Sequence, residues 1–356
     1  MNEPDYGLPP DQRAELRAYL AELGADPARI EEADECRTLG PLAVEVAVGG
    51  GSGTPFFEAL ARSGADVDGA VQLWRALGFP DPRTSEPLLG EGEDASLRLL
   101  MDVGAGLLGM DATLTIARLI GTTTSQLADA LVDAFRMQVE VPDLTAGTPY
   151  PDVVRRYAEL LQAAIPQLEQ ALGNCLRRHL VTAAAATWSA DEDNVTARRD
   201  LVVGFADLVG WTSLSRLSSP ARIAQLVQRF ERHLAEAAAP HGVRIVKLLG
   251  DGAMVTCADA DAACSFALAL VASIDADGEL PPVRVGLAAG QVTALGGDHH
   301  GEVVNLAARL GAVAPAGGVL VDDEARRRAA GTSFAPAAAA ELRGFPAPVS
   351  ASRVLP

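Results

Sequence analysis

The chain has 356 residues, 49% of them apolar and only 4% aromatic. Two domains of Ala, Leu and Val core therefore fit the length. The net charge of −18 is unevenly placed, with 25 acids against 10 arginines in residues 1–149, and a surface of that sign repels nucleic acid and anionic lipid, which argues against a DNA-binding or membrane-surface role for the first half. Cys36, Cys175, Cys257 and Cys264 lack CxxC spacing, which indicates neither a zinc site nor a disulfide framework. No run of 18 apolar residues occurs, and the Met-Asn-Glu-Pro-Asp start lacks a basic leader, so a cytoplasmic protein without a membrane span is expected.

Helical spacing of apolar residues predicts helices over Asp11 to Leu23, Ser96 to Leu108 and Ser125 to Met137, the last with Leu127, Leu131, Val132 and Phe135 on one face. Gly49-Gly-Gly-Ser-Gly53 is followed by no Gly-Lys-Ser/Thr and reads as a flexible loop, not a phosphate loop. Phe56 to Pro80 reads as helix, Gly64 turn, helix, and its second helix offers only Arg75 among acids, so a structural hairpin is favoured over a groove reader. Residues 1–149 are expected to form an all-α domain. Residues 150–190 continue with Val154, Tyr157, Leu161, Ala164, Leu168, Leu172 and Cys175 at three- and four-residue spacing, a seam-like connector. Pro166 either kinks one long helix or opens a second one, and the segment reads equally as a switch and as a plain linker. Ser189 to Asn194 is polar and reads as a hinge.

After the hinge the period changes to strand 200–207, helix 220–238, strands 243–249 and 253–257 around Gly250-Asp-Gly252, helix 259–274, strand 283–289, helix 303–310 and strand 317–321. That order predicts an α+β fold with a ferredoxin-like sheet over 191–356.

Asp207 closes the first predicted strand and Asp251 sits in the neighbouring hairpin turn. Each acid alone reads as a cap or turn former. Together, at adjacent strand ends, they can share hard cations and leave positions open for substrate phosphates. The backbone of Leu208, Val209, Gly210, Trp211 and Thr212, opening a helix, is a candidate phosphate cradle. Lys247 is the only lysine among 29 basic residues, which suggests a place where a compact ammonium cannot be exchanged for Arg.

Phe205-Ala-Asp-Leu-Val-Gly-Trp-Thr212, the Lys247 and Asp251 pair in KxxGD spacing, and Asp298-His-His-Gly-Glu-Val-Val-Asn305-Leu-Ala-Ala-Arg309 resemble the class III nucleotidyl cyclases. The resemblance covers roughly residues 198–356. It implies a palm-type catalytic domain converting ATP to 3′,5′-cyclic AMP and pyrophosphate. It implies two divalent metal ions, Mg²⁺ or Mn²⁺, on Asp207 and Asp251, adenine selection by Lys247 and Asp298, and transition-state roles for Asn305 and Arg309. A Lys donor and an Asp acceptor complement adenine N1 and its 6-amino group and mismatch guanine. The resemblance also implies a homodimer with shared active sites. Arg343 resembles a phosphate-contacting position, with a salt-bridged surface arginine as its alternative. Trp211 departs from the smaller aromatic common in relatives. A decayed cyclase-fold scaffold conflicts with competent residue types at all six key positions. A diguanylate-type reading of Gly296-Gly-Asp conflicts with His299 and His300, where an acid and an aromatic should follow.

The helical domain, through Leu73-Trp-Arg-Ala-Leu-Gly-Phe-Pro-Asp81, resembles regulatory domains of actinobacterial cyclases, a group that includes autoinhibited, pH-sensing members. A regulatory role for residues 1–149 is expected, with the connector as the switch and the apolar helical domain as a candidate site for a small-molecule or lipid ligand. No histidine precedes His179, so His179 is the first candidate for a pH-responsive group, ahead of the catalytic-domain histidines and a raised carboxylate.

Overall fold

A computed structural model describes residues 7–49, 54–63, 66–82, 87–89, 97–187, 198–337, 339 and 341–356. The chain divides into two compact units, Met1–Trp188 and Ser189–Pro356. Gly50 to Gly53, Gly64, Ser96 and the predicted hinge Ser189 to Asn194 lie outside the described residues.

The first unit contains α1 (Pro10–Glu22), α2 (Pro27–Glu35), α3 (Leu39–Ala47), α4 (Phe56–Ser63), α5 (Val67–Ala76), α6 (Gly106–Leu108), α7 (Met110–Phe135), α8 (Val141–Thr145) and α9 (Tyr150–Thr187), with π-helical stretches at Leu100–Ala105 and Arg136–Glu140. Asp26 starts α2 by accepting the Ala28 N–H with Pro27 at the first helical position, and Asp66 starts α5 by accepting the Gly69 N–H. Two cores result. One joins Leu16, Leu20, Ile30, Leu39 and Leu42 to Val154 and Ala158 of α9; the other packs Phe56, Leu60, Leu73 and Trp74 against Ala117. Arg75 is paired with Asp81, in keeping with a structural hairpin.

One feature differs from the sequence expectation of an all-α unit, and one open alternative is resolved. Thr54–Pro55 (β1) and Pro87–Leu89 (β2) form a short antiparallel pair inside the helical unit, because residues flanking proline favour extended backbone. Pro166 lies inside one continuous helix, so no second helix begins there. Farther along α9, Leu172, Leu176 and Leu180 are exposed.

The second unit holds β3 (Arg198–Leu208), α10 (Trp211–Leu217), α11 (Pro220–Ala238), β4 (Arg244–Leu248), β5 (Gly252–Cys257), α12 (Ala260–Asp277), β6 (Val283–Leu295), β7 (Asp298–His300), α13 (Glu302–Val313), β8 (Val319–Asp322), α14 (Asp323–Arg328), β9 (Phe334–Pro336) and β10 (Ala351–Val354). The sheet order is β4-β5-β3-β6-β8-β10-β9, with β7 paired to β6. Its first four strands are the ferredoxin-like core. β8 matches the predicted 317–321 strand, and β7, β9 and β10 extend the sheet beyond the predicted set.

Strand alternation sends Val202, Ala206, Leu208, Val283, Val285 and Leu287 to one face, where Phe230 of α11 and Phe266 of α12 cover them. Burying each phenylalanine contributes about 2 kcal/mol. The other face carries Val203, Met254, Ala288 and Val292 against Ala307 and Leu310 of α13. Asp207 and Arg284, one residue out of phase with the first set, therefore belong to the α13 face. Helix α13 sits unusually close to β6: a Cβ on Gly286 would stand 2.0 Å from the Gly311 nitrogen and 2.5 Å from the Ala307 carbonyl oxygen. Only glycine permits this approach.

Candidate active site

Asp207 is the cross-strand partner of Gly252 on one side and of Arg284 on the other. The Leu208 N–H donates to the Asp251 carbonyl at 2.9 Å, and the Leu249 N–H donates to Gly252 at 2.7 Å. These bonds fix Asp251 in its turn beside the end of β3, aided by Gly250 at φ +80°. Asp207, Asp251, Arg284, Ala308, Gly311 and Ala312 line one cavity of about 200 Å³. Burial pushes the Asp251 carboxyl above its ordinary value, and the neighbouring Asp207 charge adds to the rise against the opposing effect of Arg284.

Arg284 spends its whole guanidinium here. Nε and one terminal nitrogen donate to Asp207 Oδ2 at 3.0 and 2.6 Å, and the other terminal nitrogen donates to the Ala312 carbonyl at 2.6 Å. Among the described residues no donor reaches Asp207 Oδ1, which lies on the Gly252 side. Sequence reading missed Arg284. The available signal was register: an arginine one residue into the strand that pairs with Asp207.

The cradle is narrower than predicted. The Leu208 N–H serves Asp251, and the Val209 N–H donates to Pro282 at 2.9 Å, so neither is open to a ligand. Gly210, at φ +78°, turns the chain into α10, leaving Gly210, Trp211 and Thr212 at that helix start.

Lys247 and Asp298 come together although 51 residues apart: Lys247 Nζ donates to Asp298 Oδ2 at 2.5 Å. A register shift between Ile245 and Lys247 interrupts the β4–β5 ladder just before the lysine, the kind of bulge that re-aims a side chain. Gly296 and Gly297 have φ of +57° and +79° and form a two-residue hairpin that puts Asp298 opposite Leu295. That turn explains the Gly-Gly-Asp segment without a diguanylate signature. Partial burial raises the Asp298 carboxyl, but the Lys247 ammonium and the His299 N–H outweigh it and hold it below the usual carboxylate range. Next to it, His299 is 3% exposed. Burial, then the charges of Arg244 and Arg199, lower its pKa.

Asn305 and Arg309 lie one turn apart on α13 and are exposed, as is Arg343. Among the described residues no ion pair engages Arg309 or Arg343. None of Lys247, Asp298, Asn305 and Arg309 lines the Asp207 cavity, so the predicted residues form separate clusters within one chain. His179 is exposed on α9 of the first unit.

The family described as the adenylate and guanylate cyclase catalytic domain matches residues 194–346. An adenylate cyclase of Streptomyces coelicolor is 37% identical over 287 residues, which is 81% of this chain and 74% of that protein. The chain belongs to the class III adenylyl cyclases. A pH-sensitive adenylate cyclase of Mycobacterium tuberculosis is 29% identical to this cyclase over 327 residues, 88% of this chain and 79% of that one. The adenylyl cyclase CyaB from P. aeruginosa is a solved structure with 24% identity and a TM-score of 0.42, covering 45% of this chain and 95% of its own.

Cyclase domains of this class generally depend on metal, and the donor set here fits a hard divalent cation. Two carboxylates flank one cavity, and one oxygen of Asp207 faces away from Arg284. Among the described residues no group of three or more His, Cys, Asp or Glu side chains could hold a metal, so a cation held here by the two acids would need water or substrate oxygens to complete its coordination. Among the described residues no helix of this cyclase is long and apolar enough to cross a membrane.

Proposed function

We propose that this cyclase converts ATP to 3′,5′-cyclic AMP and pyrophosphate in sites shared between two copies of the chain. The observation that carries the reading is the Lys247–Asp298 pair at 2.5 Å. Bringing these two charges together at a sheet edge presents an ammonium donor beside a carboxylate acceptor, the pattern that matches the Watson–Crick edge of adenine and opposes that of guanine. Asp298, held below the usual carboxylate range, stays an acceptor at neutral pH.

Asp207 and Asp251 would hold two divalent cations, Mg²⁺ or Mn²⁺, which supply Lewis-acid polarisation of the α-phosphate and neutralise the leaving pyrophosphate. Gly210, Trp211 and Thr212 bound the phosphate side. Asn305 orients the ribose so that its 3′-hydroxyl lines up with the α-phosphorus, and Arg309, one helical turn on, stabilises charge on the α-phosphate oxygens. Arg343 is assigned to the phosphates.

Sharing of sites between copies is supported by the separation of clusters. The cavity of about 200 Å³ beside Asp207 is below the roughly 300 Å³ at which small-molecule pockets begin. It suits phosphates and metals, while the base-reading pair lies outside it. The domain division follows as 1–149 regulatory, 150–190 connecting and 191–356 catalytic, with pH as the regulatory signal and His179 as its first candidate group.

The test is direct. Full-length protein incubated with Mn²⁺ and either ATP or GTP should release cyclic AMP and pyrophosphate from ATP and at least about a hundredfold less product from GTP. Equal use of both nucleotides refutes the base-reading assignment, and absence of any cyclic product refutes the activity.

A further inference from the structure

Next to the base-reading pair lies a buried histidine that the proposed chemistry does not use. We infer that the neutral ring of His299 anchors Asp298 in its adenine-reading position, so that acid, by protonating the ring, unseats β7 and erodes the preference for ATP over GTP. This rests on the reading of Lys247 and Asp298 as the base-recognition pair. It concerns nucleotide choice and is separate from any pH control of the overall rate through α9.

The Asp298 carboxylate is held from two sides. Lys247 Nζ donates to Oδ2 at 2.5 Å, and the backbone N–H of His299 donates to Oδ1 at 2.8 Å. Where the acid sits therefore depends on where His299 sits. β7 is three residues long and, among the described residues, pairs with β6 alone, so its ladder by itself is a weak anchor. Of its three side chains, that of His299 is buried, at 3% exposure, while Asp298 is half-buried and His300 exposed. Burial of the imidazole is what pins the strand.

The surroundings of the ring suit only its uncharged form. Nδ1 and Nε2 are both shielded from solvent, and among the described residues neither has a hydrogen-bond partner. A neutral imidazole tolerates this at modest cost; an imidazolium, with two N–H donors and a full charge, does not. The charged groups that face it deepen the conflict: Arg244 from β4 and Arg199 from β3 act most strongly, His300 adds to them, and Asp298 opposes. Thr293, Ala294 and Leu295, the β6 residues opposite β7, carry no charge, and Glu302, which opens α13, is exposed. Burial first, and the two arginines next, hold the ring below its ordinary value. In an unseated strand the ring regains that ordinary value of about 6.5, so the seated strand binds fewer protons than the unseated one. Seating keeps its full stability above about pH 6.5 and loses it as pH falls from there toward the lowered value of the buried ring. Asp298, held below the usual carboxylate range, stays charged throughout that window, so the change comes from the histidine. His299 is thus a positioning residue and not a catalytic one.

The test is the ratio of kcat/KM for ATP over that for GTP, measured on the full-length protein with Mn²⁺ from about pH 7.5 to about pH 5.5. Both nucleotides carry the same triphosphate and metals, so phosphate titration and changes in overall rate cancel in the ratio. One linked proton moves an equilibrium by at most about tenfold per pH unit, so the wild-type ratio should fall by about three- to tenfold over that range, mostly through the KM for ATP. His299→Phe fills the same space with a ring that takes no proton. Its ratio should lie within about threefold of wild type at the upper pH and stay flat to the lower one. A merely structural histidine predicts a flat ratio in wild type too. A flat wild-type ratio, or an acid fall that survives in His299→Phe, overturns the proposal. Should the Phe variant fail to fold by circular dichroism, the wild-type ring decides: nuclear magnetic resonance of ¹⁵N-histidine-labelled protein should show His299 titrating below about 6.5, and titration at or above that value overturns the proposal. Asp298→Asn separates the two levels. Wild-type preference for ATP in that variant removes the base-reading assignment itself, whereas loss of the preference there, together with an acid fall that persists in His299→Phe, removes only the part given to the histidine.

Discussion

Replacing Gly286 by alanine should separate the position of α13 from everything else in the catalytic unit. The added Cβ would stand 2.0 Å from the Gly311 nitrogen, 2.5 Å from the Ala307 carbonyl oxygen and 2.7 Å from the Gly311 Cα. All three are backbone atoms of α13, so no rotamer change relieves the clash. Restoring ordinary contact of about 3.4 Å or more requires the helix to shift by roughly 1 Å, and overpacking of this kind costs about 1–3 kcal/mol. For a domain of this size each kcal/mol is about 2–4 °C of Tm, so calorimetry should show a loss of roughly 2–12 °C. The same shift carries Asn305 and Arg309, the proposed transition-state residues, and a 1 Å misplacement of such groups costs on the order of a hundredfold in rate. The assay is steady-state cyclic AMP formation with saturating Mn²⁺, with kcat expected to fall by about that factor and the KM for ATP much less. Gly204→Ala is the control. Its Cβ would meet only Val255 Cγ2 at 2.7 Å and Leu287 Cδ2 at 2.8 Å, flexible ends that can turn away, so stability should drop while kcat holds within about threefold. Wild-type kcat in Gly286→Ala, or equal losses in both variants, would refute the argument that this glycine contact positions the catalytic helix.

Lys247→Glu places a carboxylate against Asp298, and cyclisation of ATP should fall by roughly a thousandfold with the circular dichroism spectrum unchanged; normal activity would end the adenine-reading role. Asp277, 4% exposed and held by Arg229 and His233, has its pKa lowered to about 2 by the His233 contact first and Arg229 next, against burial. A lowered acid stabilises the fold above its unfolded value and loses that contribution as pH falls through the folded one, so Asp277→Asn should cost about 2 kcal/mol at pH 7 and flatten the acid denaturation curve between roughly pH 4 and 2. An unchanged acid transition would contradict it. His179→Ala in the full-length protein should change the pH profile of activity; a profile identical to wild type excludes that histidine as the sensor.

The catalytic core was legible because its strands and helices switch cleanly between periods of two and 3.6. The predicted 220–238 helix coincides with α11, and the hairpin around Gly250-Asp-Gly252 is present. Short elements escaped. β7, β9 and β10 are three or four residues long and are strands only because a neighbour supplies hydrogen bonds, which no local pattern records. α2 was missed although Asp26-Pro27 is a start signal, since its nine residues give too little periodicity. Within the candidate site, residue types at motif spacing pointed to Asp207, Asp251, Lys247 and Asp298, while the contact of Arg284 with Asp207 needed register, a property of two strands together. Backbone bonding reduced the predicted phosphate cradle in the same way, since Leu208 and Val209 spend their N–H groups on Asp251 and Pro282.

Under the proposed base-reading role of Asp298, the two-residue turn at Gly296 and Gly297 makes loop length a determinant of nucleotide choice. Because Asp298 enters pairing immediately after the turn, opposite Leu295, the side of the sheet it faces is set by parity alone. One added residue between Gly297 and Asp298 would turn the carboxylate to the opposite face without altering any residue of the site, and two would restore its side while moving it along the strand. A single-residue insertion in this turn would therefore leave Lys247 in need of another partner.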